Sequence, residues 1–443
     1  MVNRLQFFLL TLFITLVCLN LNFSNALAQT SRPNIIYIMA DDLGYADLSC
    51  YGRKDYETPH LDKLASEGIK FLNAYSAAPI CTPSRVAFMT GLYPARTTVG
   101  LYEPLRGSPK EAAVGLKPDS KSVAGMLKQA GYETVLIGKW HLGLKEQFHP
   151  VNNGFDQFFG FHPGAIDYIS HKVKGKPALY KNSTVIQEEG YITDVFAKHA
   201  AEYIGQKHSK PFFLSLQFNA PHWPWMAPGD EPLDSSLVGP AMREGGSPDK
   251  YKAMMTSLDN AVGKIMLALD QANLSRNTLV IFTSDNGGEK FSDMGPYAGY
   301  KTELKEGGIR VPAFLRWTGT IPANTTTDQL AITMDWTATI LAAANASSIA
   351  NTLDGVNLLP VCIGKQKIFD RTFYWRTFQI GNQKAIREGK WKYLMNDEGE
   401  YLFDLIADPG EKNNLKEGNQ KMFETLKNKH NVWQRSVLQP IPL

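Results

Sequence analysis

The stretch Cys81-Thr82-Pro83-Ser84-Arg85 joins a nucleophile to a helix-starting signal and a cation. Pro83 suits the first position of a helix and Thr82 its cap, which leaves Cys81 at the helix N-terminus. Backbone N–H groups and the helix dipole favour negative charge at such a point, and Arg85, one turn in, adds a fixed cation. Four other short stretches carry related side chains: Asp41-Asp42, Lys139 with His141, His222, and Asp285-Asn286. Two adjacent Asp residues and a distant Asp-Asn pair supply only oxygen donors, which suits Ca²⁺ or Mg²⁺ better than Zn²⁺. Ca²⁺ is the better match, because it tolerates irregular, carboxylate-rich cages. Taken singly, each pair reads better as a turn or a helix cap, since Asp-Asp and Asn-Gly-Gly are ordinary turn sequences. Their joint presence with Cys81 and Arg85 points to a site that stabilises negative charge on a nucleophile or a substrate.

The Cys81 stretch, followed by Met89-Thr90-Gly91, resembles the Cys-x-Pro-Ser-Arg signature of type I sulfatases. The likeness extends through Asp41-Asp42-Leu43-Gly44, Gly138-Lys139-Trp140-His141-Leu142-Gly143 and Ser284-Asp285-Asn286-Gly287-Gly288. It continues in Glu306-Gly307-Gly308-Ile309-Arg310 and in Gly389-Lys390-Trp391-Lys392-Tyr393 near the C-terminus. The resemblance implies an alkaline-phosphatase-like α/β fold and hydrolysis of a sulfate monoester on a saccharide or aryl group. It implies that a dedicated maturation system oxidises Cys81 to formylglycine during export. One hydroxyl of the hydrated aldehyde attacks sulfur and the second expels sulfate, a release that an ordinary Ser could not perform. Carried over residue by residue, Asp41, Asp42, Asp285 and Asn286 would hold Ca²⁺ with an oxygen of the modified Cys81, and Arg85 would orient that group. Lys139 and His141 would contact it or the sulfate, with His141 taking a proton from the second hydroxyl. His222 and a Lys would bind sulfate and protonate the leaving oxygen. The family pattern sets that Lys five residues before the Glu of Glu-Gly-Gly, which selects Lys301 over Lys305.

Two other readings compete. A hydrolase of phosphate or phosphonate esters on the same fold would use a similar pocket, although such sites often recruit two Zn²⁺ through His-rich sets. A non-catalytic carbohydrate-binding protein would not need every one of these positions filled. Trp223 and Trp225 could form a wall for a sugar ring, and serve equally as packing residues. His60, His149, His162, His171, His199 and His208 are assigned no role and read as surface or hydrogen-bonding residues. The stretch from His162 to Gln187 carries no decodable motif.

The elements that must position these groups follow from periodicity. Short apolar runs ending in polar residues predict strands over 34–40, 134–137, 212–218 and 278–282. Helical spacing falls over 61–67, 122–129, 193–204 and about 248–272, the last capped by Ser247. Strand and helix alternate, which predicts a large, mixed but mostly parallel sheet between helices, with functional groups beyond its carboxyl ends. A helix over 336–344, capped by Asp335, leads to a proposed boundary between a catalytic domain, 32–350, and a C-terminal subdomain, 351–443. There, strand-like runs over 372–378, 383–387 and 391–394 and a helix near 420–435 predict a small antiparallel sheet closed by a helix.

The 443 residues, 44% hydrophobic and 20% charged, suffice for a sizeable core. Forty-six basic side chains against 43 acidic ones leave a net charge of +3 with no basic block, so charge gives no reason to expect a nucleic-acid partner. Arg4, the apolar run from Phe7 to Leu19, and Ala26 and Ala28 read as a signal peptide over residues 1–28. An exported protein without stable membrane insertion is expected, periplasmic or secreted in a bacterium and secretory or lysosomal in a eukaryote. Its mature form would keep Cys50, Cys81 and Cys362, an odd number that leaves at least one thiol unpaired within the chain.

Overall fold

The computed structural model describes residues 32–118, 121–233, 239–349 and 352–442, so the expected signal peptide lies outside the described residues. Residues Pro33–Leu443 form one compact unit. Its centre is a sheet with, among the described residues, ten strands: β1 Asn34–Ala40, β2 Ile69–Phe71, β3 Glu133–Lys139, β4 Gln157–Phe161, β5 Leu179–Lys181, β6 Thr184–Ile186, β7 Phe212–Gln217, β8 Thr278–Ser284, β9 Ala313–Arg316 and β10 Thr325–Thr327. Their order is β10-β2-β9-β8-β1-β7-β3-β4-β5-β6. The run β8-β1-β7-β3-β4 is parallel throughout. Antiparallel neighbours flank it, β9 on one side and β5 and β6 on the other.

The four strands read from apolar runs are the four central ones, because a strand covered on both faces must be apolar at every position. β1 shows this directly, with all seven residues buried. Ile36 and Ile38 face a cluster with α1 Pro59–Ser66, α4 Ile192–Ile204 and α5 Pro248–Gln271. Ile35, Tyr37 and Met39 face a second cluster with α2 Cys81–Thr90, α3 Val123–Gln129 and α6 Thr333–Ala343. Each such side chain taken from water contributes roughly 1.5–3 kcal/mol. Ser247 caps α5 as expected, accepting the Lys250 N–H at 3.2 Å, and Ser122 caps α3 through the Gly125 N–H at 2.9 Å. The expectation for α6 needs correction. The helix begins at Thr333, and Asp335, its third residue, folds its carboxylate back onto the Ile332 N–H at 2.9 Å while pairing with Arg371 at 2.9 Å. An N-cap and a third-position acidic residue look alike in sequence because both lie one turn from the same unsatisfied donors.

The C-terminal segment forms a four-stranded antiparallel sheet, β11 Thr372–Thr377, β12 Gln383–Glu388, β13 Trp391–Asn396 and β14 Gly399–Asp404, with α7 Gln420–Arg435 packed on it. The fourth strand escaped the sequence reading because its Gly399-Glu400 start is polar. Phe373, Trp375, Leu394 and Phe403 join Tyr75, Leu304, Ile309 and Met334 in one apolar cluster. Beside it sits a buried charge group. Lys392 Nζ lies 3.0 Å from Glu306 Oε1 and 2.8 Å from Glu411 Oε1, and Arg310 Nη1 donates to Glu306 Oε2 at 3.3 Å. Burial would raise the Glu306 carboxyl, but Lys392, Arg387 and Arg310 overcome that and hold it down at about 2. Lys392→Met would leave two carboxylates buried without their shared cation. We expect a loss of about 3–5 kcal/mol, read as a lowered thermal midpoint. An unchanged midpoint would show that the group is not holding the two sheets together.

At the edge near β4, His149 and His162 stack with ring centroids 3.8 Å apart. His162 is buried, and neither of its ring nitrogens has a hydrogen-bond partner, so it is neither a surface nor a hydrogen-bonding histidine as expected. Burial, assisted by His149, depresses it to about 3. The neutral ring therefore supports the fold above the ordinary histidine value, and that support is lost as pH falls from about 6.5 towards 3. Between pH 7.5 and 5 this single group removes about 2 kcal/mol of stability. His162→Phe should keep the stacking and show a correspondingly shallower acid dependence in melts across that range. An equal slope in both proteins would refute the assignment.

Candidate active site

Because β8, β1, β7 and β3 are adjacent and parallel, their carboxyl ends deliver Asp285-Asn286, Asp41-Asp42, the 217–222 segment and Lys139-Trp140-His141 to one edge. The first turn of α2 lies among them, and every site residue expected from sequence arrives in this one buried cluster. Cys81 Sγ donates to Asp41 Oδ1 at 3.5 Å. Lys139 Nζ reaches Asp41 Oδ2 at 2.5 Å, and Lys301 Nζ reaches Asp42 Oδ2 at 2.7 Å. Arg85 grips Asp285 Oδ2 through Nε at 3.1 Å and Nη2 at 2.9 Å. Asp285 Oδ1 in turn accepts the Asp42 N–H at 3.2 Å, and Asn286 Nδ2 donates to Asp42 Oδ1 at 2.8 Å. Asp42 and His141 both hold left-handed backbone, φ 64° and 56°, a strain of about 1–3 kcal/mol each that the packed surroundings must impose.

Three carboxylates, Asp41, Asp42 and Asp285, thus face three cations, Arg85, Lys139 and Lys301, all out of water. Burial raises every carboxyl here, and the cations decide which stays ionised. Asp41, beside Lys139, His222, Arg85 and Lys301, is driven well below its ordinary value. Asp42 is pushed up to about 7 by burial, which Lys301 opposes and the Asp41 charge reinforces. Burial also raises the Cys81 thiol well above its ordinary value, more than Lys139 and Lys301 lower it. As encoded, Cys81 is therefore a protonated thiol and a poor nucleophile at neutral pH.

Burial holds both histidines neutral, with Lys139 adding to the effect at His141 and Lys301 at His222. Their partners identify the tautomers. His141 Nε2 must donate to the Leu105 carbonyl at 2.9 Å, leaving a bare, unpartnered Nδ1 as proton acceptor. His222 Nδ1 donates to the Trp223 carbonyl at 2.5 Å, so Nε2 presents its lone pair to Asp42 Oδ2, 3.6 Å away. Two acceptors facing each other at that distance make a seat for a proton or a metal cation.

Ligand atoms of Asp41, Asp42, Cys81 and His222 lie within 4.8 Å of one another. Asn286 Oδ1, buried and without a hydrogen-bond partner, adds a neutral oxygen beside them. The carboxylate and amide oxygens of this set fit a hard divalent cation of the Ca²⁺ type, whereas the unmodified thiol and the imidazole do not.

The sequence reading missed the groups that hold these residues. Gln217 Oε1 accepts from Arg85 Nη1 at 3.1 Å. Tyr168, in the stretch that carried no motif, donates to the carbonyls of Asn219 and His222 at 2.6 and 2.8 Å. A polar residue ending an otherwise apolar strand was a signal for Gln217; Tyr168 offered none. Thr82 is not the helix cap. α2 starts at Cys81, and Thr82 Oγ1 instead donates to the His141 carbonyl at 3.2 Å and accepts the Leu105 N–H at 3.2 Å, tying the helix to the loops around it. Glu-Gly-Gly is explained by close approach: a Cβ on Gly307 would lie 2.2 Å from the Gly299 carbonyl, and one on Gly308 2.0 Å from that of Glu303. Lys305 stands apart from the cluster, half-buried near Glu303. Trp225 is buried against Phe291 and Trp223 is partly buried against the core, so packing accounts for both.

Comparison with known proteins agrees with this geometry. The sulfatase family model matches residues 33–346, and a model of the N-sulphoglucosamine sulphohydrolase C-terminal region matches 300–436. N-acetylgalactosamine-6-sulfatase of Canis lupus familiaris is 34% identical over 370 residues, 78% of this chain and 68% of that protein. Arylsulfatase A of Homo sapiens is 32% identical over 414 residues, covering 86% and 78%. The crystal structure of Ps i-CgsB in complex with k-i-k-neocarrahexaose superposes with a TM-score of 0.81 at 32% identity, over 93% of this chain and 94% of that one. Family match, relatives and fold agree, and this chain belongs to the sulfatase family, an enzyme that hydrolyses sulfate esters.

Proposed function

We propose that this enzyme releases sulfate from a sulfated saccharide after Cys81 is converted to formylglycine by a maturation system during export, with one Ca²⁺ at the strand-end carboxylates. The observation that carries the proposal is the state of Cys81. It occupies the first turn of a helix amid three cations and three carboxylates, yet its thiol is held protonated by burial. A hydrated aldehyde at that position would supply the nucleophilic hydroxyl that the thiol does not. The saccharide class is suggested by the names of similar proteins, an N-acetylgalactosamine-6-sulfatase and a structure in complex with a neocarrahexaose.

Asp41, Asp42, Asp285 and Asn286 would hold the metal, which supplies Lewis-acid polarisation of the sulfate. The remaining work belongs to side chains. Arg85, locked by Asp285 and Gln217, keeps fixed positive charge under residue 81. Lys139 and Lys301 balance the charge of the entering ester. His141 takes a proton on its bare Nδ1, while Lys301 delivers one to the departing alcohol; His222 shares that task only after its Nε2 has taken up the proton seated between it and Asp42. Residues 1–28 would direct export, and no helix among the described residues is long and apolar enough to cross a membrane.

Two measurements test this reading. Peptide mass spectrometry across Cys81, on protein exported by its native host, should show the thiol replaced by an aldehyde, and Cys81→Ser should lower turnover of an aryl sulfate on the order of a thousandfold or more. A retained thiol in fully active enzyme would overturn the mechanism. Dialysis against a chelator should abolish turnover, with Ca²⁺ restoring it better than Mg²⁺. Activity indifferent to chelation would remove the metal from the scheme.

A further inference from the structure

Lys301 belongs to a turn, not to a strand end, and what aims it lies outside the sequence motifs. Its own N–H donates to the Gly288 carbonyl at 2.9 Å, next to the metal-site loop. The next residue, Thr302, holds left-handed backbone, φ 78°, which a β-branched side chain disfavours. The Thr302 N–H donates to the carbonyl of Pro79, two residues before Cys81, at 2.8 Å. The other side of this strained turn is held by one side chain from the C-terminal sheet. Gln383, the first residue of β12 and buried, donates from Nε2 to the Thr302 carbonyl at 2.8 Å and accepts the Leu304 N–H on Oε1 at 2.9 Å. Its amide therefore bridges the backbone on both sides of Glu303, as a neighbouring strand would. The same turn is seated on Gly307 and Gly308, and Glu306, beside them, is anchored by Lys392 of β13.

We propose that Gln383 is a positioning residue for Lys301, making the C-terminal sheet a working part of the active site. The proposal rests on the assignment of Lys301 to the sulfate-ester reaction. Gln383 touches no reacting atom. It fixes a turn that would otherwise relax away from φ 78°, and so sets where the Lys301 ammonium meets Asp42 and the leaving oxygen. Removing its two hydrogen bonds should loosen that aim without disturbing α2 or the central sheet.

The test is a double-mutant cycle on matured, Ca²⁺-supplemented enzyme. Gln383→Leu, similar in size but unable to bond, should lower kcat on a saccharide sulfate by on the order of tenfold. The loss should shrink for a 4-nitrophenyl ester, whose alcohol leaves without needing a proton. In a Lys301→Ala background Gln383→Leu should cost less than about twofold. Equal losses in both backgrounds, or none in either, would overturn the proposal. Hydrogen exchange gives a readout independent of turnover: the Leu304 amide should exchange on the order of tenfold faster in Gln383→Leu, while the α2 amides keep their wild-type rates. Unchanged exchange at Leu304 would refute the bridge. Absence of sulfatase turnover in the wild-type enzyme would instead count against the reaction assignment, and the exchange result would still decide Gln383.

Discussion

The structure is organised around one electrostatic constraint: three carboxylates and three cations are buried together at the carboxyl edge of a parallel sheet. No member of this set is tolerable alone, since an unpaired buried charge costs several kcal/mol. Each is paired to a residue far away in sequence. Arg85 meets Asp285 across 200 residues, Lys139 meets Asp41 across 98, and Lys301 meets Asp42 across 259. The observed order β8-β1-β7-β3 sets the loops that carry Asp285, Asp41, Asp42 and Lys139 along one edge. The apolar runs supply the driving force for the sheet, and the charges specify which ends must meet.

The same constraint explains why Cys81 is so unreactive as encoded. A site built to hold an anion would stabilise a thiolate if water reached it. Burial outweighs the neighbouring lysines and keeps the proton on sulfur. A buried, neutral thiol beside a carboxylate is a poor nucleophile as encoded, consistent with the precursor role proposed for it. The histidines follow a similar logic. Both are neutral, and each has one nitrogen committed to a carbonyl, so the remaining nitrogen of each is left as a lone-pair acceptor.

The C-terminal sheet is more than an appendage. Lys392 and Arg387 converge on Glu306, Gln383 holds the Thr302–Leu304 backbone, and Trp375 donates to the Ser76 carbonyl at 2.8 Å. Residues that surround Lys301 and precede Cys81 are thus held from a part of the chain about 80 to 300 residues later. The candidate site lies at the carboxyl edge of the central sheet, and in our proposal its turn-borne cation, Lys301, is aimed from the smaller one.

Sequence alone placed the strand-end residues together, and found the four central strands and the helices α3, α4, α5 and α7 to within two residues. Those features are local: an apolar run, a cap such as Ser247 or a five-residue stretch such as Cys81–Arg85 carries its own signal. It did not determine the six strands that flank the central four, each only three to five residues long, or β14 with its polar start; these become strands only by pairing. Nor did it reveal that Thr82 fastens loops, that Asp335 closes a helix from its third position, or that His162 is buried unpartnered. Hydrogen-bond partners, tautomers and burial depend on which distant segments are brought together. Tyr168 and Gln383 matter only because folding sets them against the His222 backbone and the Thr302–Leu304 backbone, and a lone Tyr or Gln carries no pattern that announces this. Local chemistry was legible in the chain, and the aim of that chemistry belongs to the tertiary structure.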